Sequence, residues 1–145
     1  MRVEESVEIN RLRQEVFDYV ANPENLPAWS GLAIEMKDAP GPLIKEGDTF
    51  TVVGKFLGRR FETPYERSSY EPNRRYTDRA TGGPVPDQDW TYTFEELPEG
   101  TRLTRAVEGE PGGFFKLAEP LIERALKRQV RADLETLKDL LEARL

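Results

Sequence analysis

Gln88-Asp89-Trp90-Thr91-Tyr92-Thr93-Phe94-Glu95-Glu96-Leu97 runs through Pro98-Glu99-Gly100 into Thr101-Arg102-Leu103-Thr104-Arg105-Ala106-Val107-Glu108, and this stretch decides the fold. Trp90, Tyr92 and Phe94 alternate with Thr91 and Thr93, so an extended chain puts the rings on one face and the threonines on the other. Pro-Glu-Gly supplies turn chemistry and Thr101 to Glu108 is extended again, which makes the pair an antiparallel hairpin with an apolar face. That face needs a cover. The chain supplies one directly: between Phe114 and Leu145, Ile122, Leu126, Val130, Leu134, Leu137 and Leu141 recur every three or four residues. Glu123, Arg124, Lys127, Arg128, Arg131, Glu135 and Lys138 fill the other faces of that helix. Pro120 lacks an N–H and clashes with the carbonyl four residues back, which predicts a kink or a fresh helix start there.

Upstream, Thr49 to Leu57 is β-branched and aromatic, and Gly58 connects it tightly to Arg59 to Tyr70, a second hairpin. The Glu71-Pro72-Asn73 turn leads into Arg74 to Thr81, and Gly82 to Asp87 is a loop rich in glycine and proline. Leu32 to Lys37 alternates and is broken by Asp38-Ala39-Pro40-Gly41-Pro42. At the start, Val3 to Ile9 reads as a strand with one wet face. Asn10 is the expected N-cap of a helix over Arg11 to Ala21, with Leu12, Val16, Phe17 and Val20 on one side. Asn22-Pro23 ends that helix and Pro23 opens a short second one that stops near Trp29. The order predicts an α+β domain spanning 1–145, with a curved antiparallel sheet of about seven strands wrapped around the long C-terminal helix and two short helices after strand 1.

A chain of 145 residues can bury about 68–70% of the surface it exposes when unfolded, enough for one sizeable core without metal or disulfide staples. The formal net charge of -6 repels phosphate backbones and argues against a nucleic-acid partner. Arg59-Arg60 and Arg74-Arg75 each sit beside acids or a turn and read as solvated strand ends. No run approaches the length and apolarity of a membrane span, and the N-terminus lacks a signal-peptide core, so no stable membrane insertion and a cytoplasmic location are expected. With neither His nor Cys, the commonest general base and the soft metal ligands are missing, and no metal site is expected. Asp87 and Asp89 read as solvated loop acids. Gly82-Gly83 and Gly112-Gly113 lack a phosphate-loop lysine and the G-x-G-x-x-G pattern, so no cofactor is expected.

Four segments carry a family resemblance: Val16-Phe17-Asp18-Tyr19-Val20-Ala21-Asn22-Pro23-Glu24-Asn25-Leu26-Pro27-Ala28-Trp29; Ser69-Tyr70-Glu71-Pro72-Asn73-Arg74-Arg75-Tyr76; Trp90 to Glu95 with Gly100 to Thr104; and Leu134 to Glu142. In order and spacing they resemble the START/birch-pollen-allergen-like superfamily (SRPBCC proteins), in particular its bacterial polyketide cyclase/dehydrase-like branch. The resemblance implies a helix-grip fold with an internal pocket between sheet and helix. It implies ligand binding more firmly than catalysis, because the superfamily includes lipid carriers, hormone receptors and cyclases.

A concave sheet turns every second residue inward. This places Phe50, Val52, Gly54 and Phe56, then Phe61, Thr63 and Tyr65, then Tyr76, then Trp90, Tyr92 and Phe94, then Leu103 and Val107, on the inner face, met by Phe114, Leu117, Leu121 and Ala125 from the helix. The expected site is an aromatic wall for a small hydrophobic ligand, with Tyr65, Tyr76 or Tyr92 as polar anchors. Aromatic stripes at strand spacing are also what an ordinary core looks like, and Trp29 reads as a packing plug. An enzyme could draw on Asp78 paired with Arg67 or Arg105, since a carboxyl buried among rings is pushed toward its protonated form. The competing role for those groups is an ion pair at the cavity rim or on the outer face, and a third reading of the chain is a protein-interaction module whose sheet or terminal helix binds a protein partner.

Overall fold

The structure, a computed structural model, describes residues 1–110 and 114–144, and for 114 and 115 the backbone only. In chain order the elements are β1 (Arg2–Ile9), α1 (Arg13–Val20), a 3-10 turn (Pro23–Asn25), α2 (Leu26–Trp29), β2 (Ala33–Lys37), β3 (Thr49–Phe56), β4 (Arg59–Glu71), β5 (Arg75–Ala80), β6 (Asp89–Leu97), β7 (Gly100–Glu108), α3 (Phe114–Leu117) and α4 (Glu119–Glu142). The seven strands form one antiparallel sheet in the order β1-β7-β6-β5-β4-β3-β2, curled into a half-barrel of the helix-grip type. The first strand thus returns to pair with the last, Val3 opposite Val107 and Ile9 opposite Thr101, and leaves β2 as the far edge.

Local chemistry fixes the turns. Leu57 and Gly58 form the two-residue connection between β3 and β4, both with positive φ (50° and 78°), the backbone that matches strand twist in tight hairpins. Asn73 takes φ 64° in the β4–β5 turn, the left-handed conformation its short polar side chain tolerates. Gly100, at φ 152°, starts β7 where an added Cβ would collide with the Ile9 carbonyl oxygen.

At the helix starts one sequence expectation is corrected and one is met. Helix α1 begins at Arg13 with Leu12, not Asn10, at its N-cap. The Asn10 backbone N–H instead donates to the Glu142 carboxylate, so that residue ties β1 to the end of α4. Pro120 produces the fresh start: it occupies the first turn of α4, where a missing N–H costs nothing, directly after the short α3.

The core lies at one end of the sheet. Phe17 of α1 meets Phe94 at 5.0 Å and Tyr76 at 6.0 Å between ring centroids, both edge-on. Val130, Leu134, Leu137 and Leu141 of α4 complete this cluster with Ile9 and Leu103. While α1 and the C-terminal half of α4 fill this end, the opposite end of the concave face is met by the first turns of α4.

Candidate functional site

That opposite end holds a cavity of about 550 Å³. Phe50, Val52 and Phe56 of β3 and Phe61, Thr63 and Tyr65 of β4 form one wall. The register explains the alignment: Phe50 opposes Tyr65, Val52 opposes Thr63 and Gly54 opposes Phe61, so facing residues share the inner surface. Trp90, Tyr92, Arg105 and Val107 of β6 and β7 form the next wall, and Ala118 at the N-cap of α4 with Ile122 and Leu126 of that helix close it from above. Pro84, Val85 and Gln88 of the β5–β6 loop border it as well. Gly83 lets that loop approach: with φ 80° it sits so near Thr63 that a Cβ would lie 2.9 Å from Oγ1.

The residues expected at the site therefore divide. Phe50, Val52, Phe56, Phe61, Thr63, Tyr65, Trp90 and Tyr92 border the cavity. Tyr76, Phe94 and Leu103 do not: they face inward as expected but lie in the filled half, and the Tyr76 hydroxyl donates to the Val20 carbonyl at 3.1 Å. Leu117 and Leu121 are corrected outright, being 88% and 69% exposed. The helix turns a different face inward, one residue or about 100° round, so that the stripe beginning Ile122, Leu126 packs the core farther along and lines the cavity at its start. The side chain of Phe114 lies outside the described residues.

Polar groups are few and mostly matched. Arg67, 1% exposed, donates from Nε and Nη2 to the two oxygens of Asp78 at 2.8 and 3.1 Å and from Nη1 to the carbonyls of Ala21 and Ile44. Burial pushes the Asp78 carboxyl above its ordinary range, against the pull of the Arg67 hydrogen bonds. Arg105 pairs not with Asp78 but with Asp133 of α4 (Nη1 to Oδ2, 3.3 Å), a partner that sequence reading missed. Its Nε donates to the Tyr92 hydroxyl at 3.0 Å, and its guanidinium carbon lies 4.8 Å from the Trp29 ring and 4.4 Å from the Trp90 ring. Trp29 is the buried plug expected, 2% exposed.

Tyr92 accepts from Arg105 and keeps its own proton to offer. Burial raises both the Tyr65 and Tyr92 hydroxyls above the ordinary tyrosine value, so each stays a neutral donor at physiological pH. The Trp90 indole N–H is committed to Gln88 at 2.9 Å. Thr63 Oγ1 is buried and has no hydrogen-bond partner among the described residues. Asp87 and Asp89 both reach Arg79, at 3.5 and 3.2 Å.

Residues 1–142 match the sequence profile described as polyketide cyclase / dehydrase and lipid transport. The chain belongs to that family. The SRPBCC resemblance read from the four segments is thereby upheld. No curated protein matches the family member described here in sequence. Among solved structures, TTHA0849 from Thermus thermophilus superposes with a TM-score of 0.83 at 17% identity, covering 99% of this chain and 100% of that one. Ara h 8.0201 gives 0.73 at 12% identity over 99% of each chain. The Aha1 protein from Colwellia psychrerythraea, whose structure is that of a dimer, gives 0.69 at 15% identity over 99% and 97%. Identities this low carry the fold of this polyketide cyclase/dehydrase family member and nothing finer. No helix among its described residues is long and apolar enough to cross a membrane.

Proposed function

We propose that the chain acts as one START-like domain, residues 1–145, that binds a small hydrophobic or amphipathic molecule in the cavity between sheet and α4, as a carrier or sensor in the cytoplasm. The observation that carries this reading is an apolar space of about 550 Å³ in a chain otherwise packed tightly enough to leave Val16, Val130, Leu103 and Leu137 at 0% exposure. That volume falls within the range of small-molecule pockets, and a few convergent polar groups in an apolar wall are the usual composition. Tyr65 and Tyr92 are the anchors, with Thr63 beside them: an unmatched buried hydroxyl costs about 1–3 kcal/mol, which a polar ligand atom would recover. Lipid transport in the family description agrees with this reading.

A cyclase- or dehydratase-type enzyme is favoured by one observation, the raised Asp78 carboxyl at the cavity border. Both of its oxygens accept from the Arg67 guanidinium, however, a bidentate contact that favours the ionised carboxylate and so an ion pair over proton transfer. Binding is the better-supported role. Native mass spectrometry of protein purified from its own host is expected to show a small molecule that leaves on denaturation. Titration of the ligand-stripped protein with the neutral fluorophore N-phenyl-1-naphthylamine should saturate at one site. Absence of both signals would refute the binding role.

A further inference from the structure

We propose that the ligand is an amphipathic anion, a free molecule with an apolar body and one carboxylate head, and that Arg59 and Arg60 hold the head at the cavity mouth; this rests on the binding role above. The chain carries 27 acidic and 21 basic side chains, yet among the described residues the ionisable side chains bordering the cavity, apart from the tyrosines, are Arg59, Arg60, Arg105 and a single acid, Asp78. Asp78 is neutralised by Arg67 and Arg105 by Asp133. Two cations are left over. Arg59 and Arg60 are exposed at the β3–β4 hairpin, and neither has a hydrogen-bond acceptor or ion-pair partner among the described residues. The neighbouring acid Glu62 is engaged by Lys37 at 2.8 Å.

Register orders this wall from water to interior. Arg59 opposes Phe56, Phe61 opposes Gly54, Thr63 opposes Val52 and Tyr65 opposes Phe50, so one inner row of β4 reads cation, ring, hydroxyl, ring. From Arg59 to Tyr65 the strand spans roughly 20 Å. Arg60, one residue on, reaches the rim from the other side of the strand. An amphipath fits this order in one direction only, body inward and head at the rim. The reverse would bury an unmatched carboxylate against arginines that already have partners, which is far costlier than leaving it solvated beside exposed guanidiniums. Two unopposed cations beside a low-dielectric wall also concentrate anions at the mouth, despite the negative charge of the whole chain.

The test compares displacement of N-phenyl-1-naphthylamine by dodecanoate and by dodecanol, ligands with the same body and different heads. The parent is expected to prefer dodecanoate by about fivefold at low salt, the size of an exposed charge contact. Arg59→Gln with Arg60→Gln should bring the ratio to about one, with dodecanol as the uncharged reference in the same variant. Arg59→Lys with Arg60→Lys should retain the preference, and salt at about 0.5 M should erase it. Equal affinities in the parent, or a preference that survives the glutamine pair, would overturn the anion assignment while dodecanol binding still upheld the cavity. Failure of both ligands in the parent would overturn the binding role too. Loss of binding to phosphatidylglycerol vesicles in the glutamine pair, without any dodecanoate preference in the parent, would give the arginines to a membrane surface and also overturn it.

Discussion

Replacing Asp133 by alanine is expected to lower the free energy of unfolding by about 3–5 kcal/mol, a large share of the stability of a domain this size. Asp133 sits on α4 at 2% exposure, and its carboxylate joins three elements. Oδ2 accepts from Ser30 Oγ at 2.7 Å, at the end of α2, and from Arg105 Nη1 at 3.3 Å, on β7. Oδ1 accepts from the Gly31 backbone N–H at 2.9 Å and from Gln129 Nε2 at 2.7 Å. Alanine would leave Arg105 charged and 2% exposed, with the Tyr92 hydroxyl and the faces of Trp29 and Trp90 for company but no carboxylate. A guanidinium cannot shed its proton to relieve this, so the full cost falls on the fold. Urea unfolding of Asp133→Ala beside Asp139→Ala, an exposed acid on the same helix, gives the measurement. The control should stay within about 0.5 kcal/mol of the parent, and a loss below about 1 kcal/mol at Asp133 would contradict the network.

Filling the cavity should separate binding from stability. Val52→Trp and Ile122→Trp place indoles from the sheet and the helix into the same empty space. Together they are expected to weaken N-phenyl-1-naphthylamine binding by about thirtyfold or more, the loss of about 2 kcal/mol of apolar contact. The unfolding midpoint should move little, because added volume that enters a void displaces no packed neighbour. Leu134→Trp, in the filled half at 1% exposure, should instead cost about 1–3 kcal/mol or more by overpacking. Binding unchanged in the double variant would place the probe elsewhere.

The contrast between these two halves also explains how far the sequence could be read. Strand alternation is a local property: Phe50, Val52, Thr63, Tyr65, Trp90 and Tyr92 face inward because every second residue must, and the hairpin turns at Leu57-Gly58 and Pro98-Glu99 hold the registers. Whether an inward side chain meets a void or a neighbour is not local. Tyr76, Phe94 and Leu103 obey the same alternation and end in the core, because Phe17 and the far half of α4 arrive there from distant parts of the chain. Leu117 and Leu121 fell on the wrong side because a second helical face was assigned to the cavity, when the single stripe from Ile122 to Leu141 serves both cavity and core. No local pattern separates Asp133 from the other polar residues of a charged helix, and only its approach to Ser30, Gly31 and Arg105 gives it weight. Arg59 and Arg60 read as solvated strand ends; they are solvated, and the fold puts them at the mouth.

The most direct test uses the two tryptophans as reporters, one against the cavity and one behind it. In a nitrogen–proton correlation spectrum, saturation with N-phenyl-1-naphthylamine should move the Trp90 indole resonance and the amides of Thr63, Tyr65 and Ile122, with a smaller change at Trp29. Shifts confined to the outer face near Leu117 and Leu121, with the Trp90 indole unmoved, would mean that the space between sheet and helix takes no ligand.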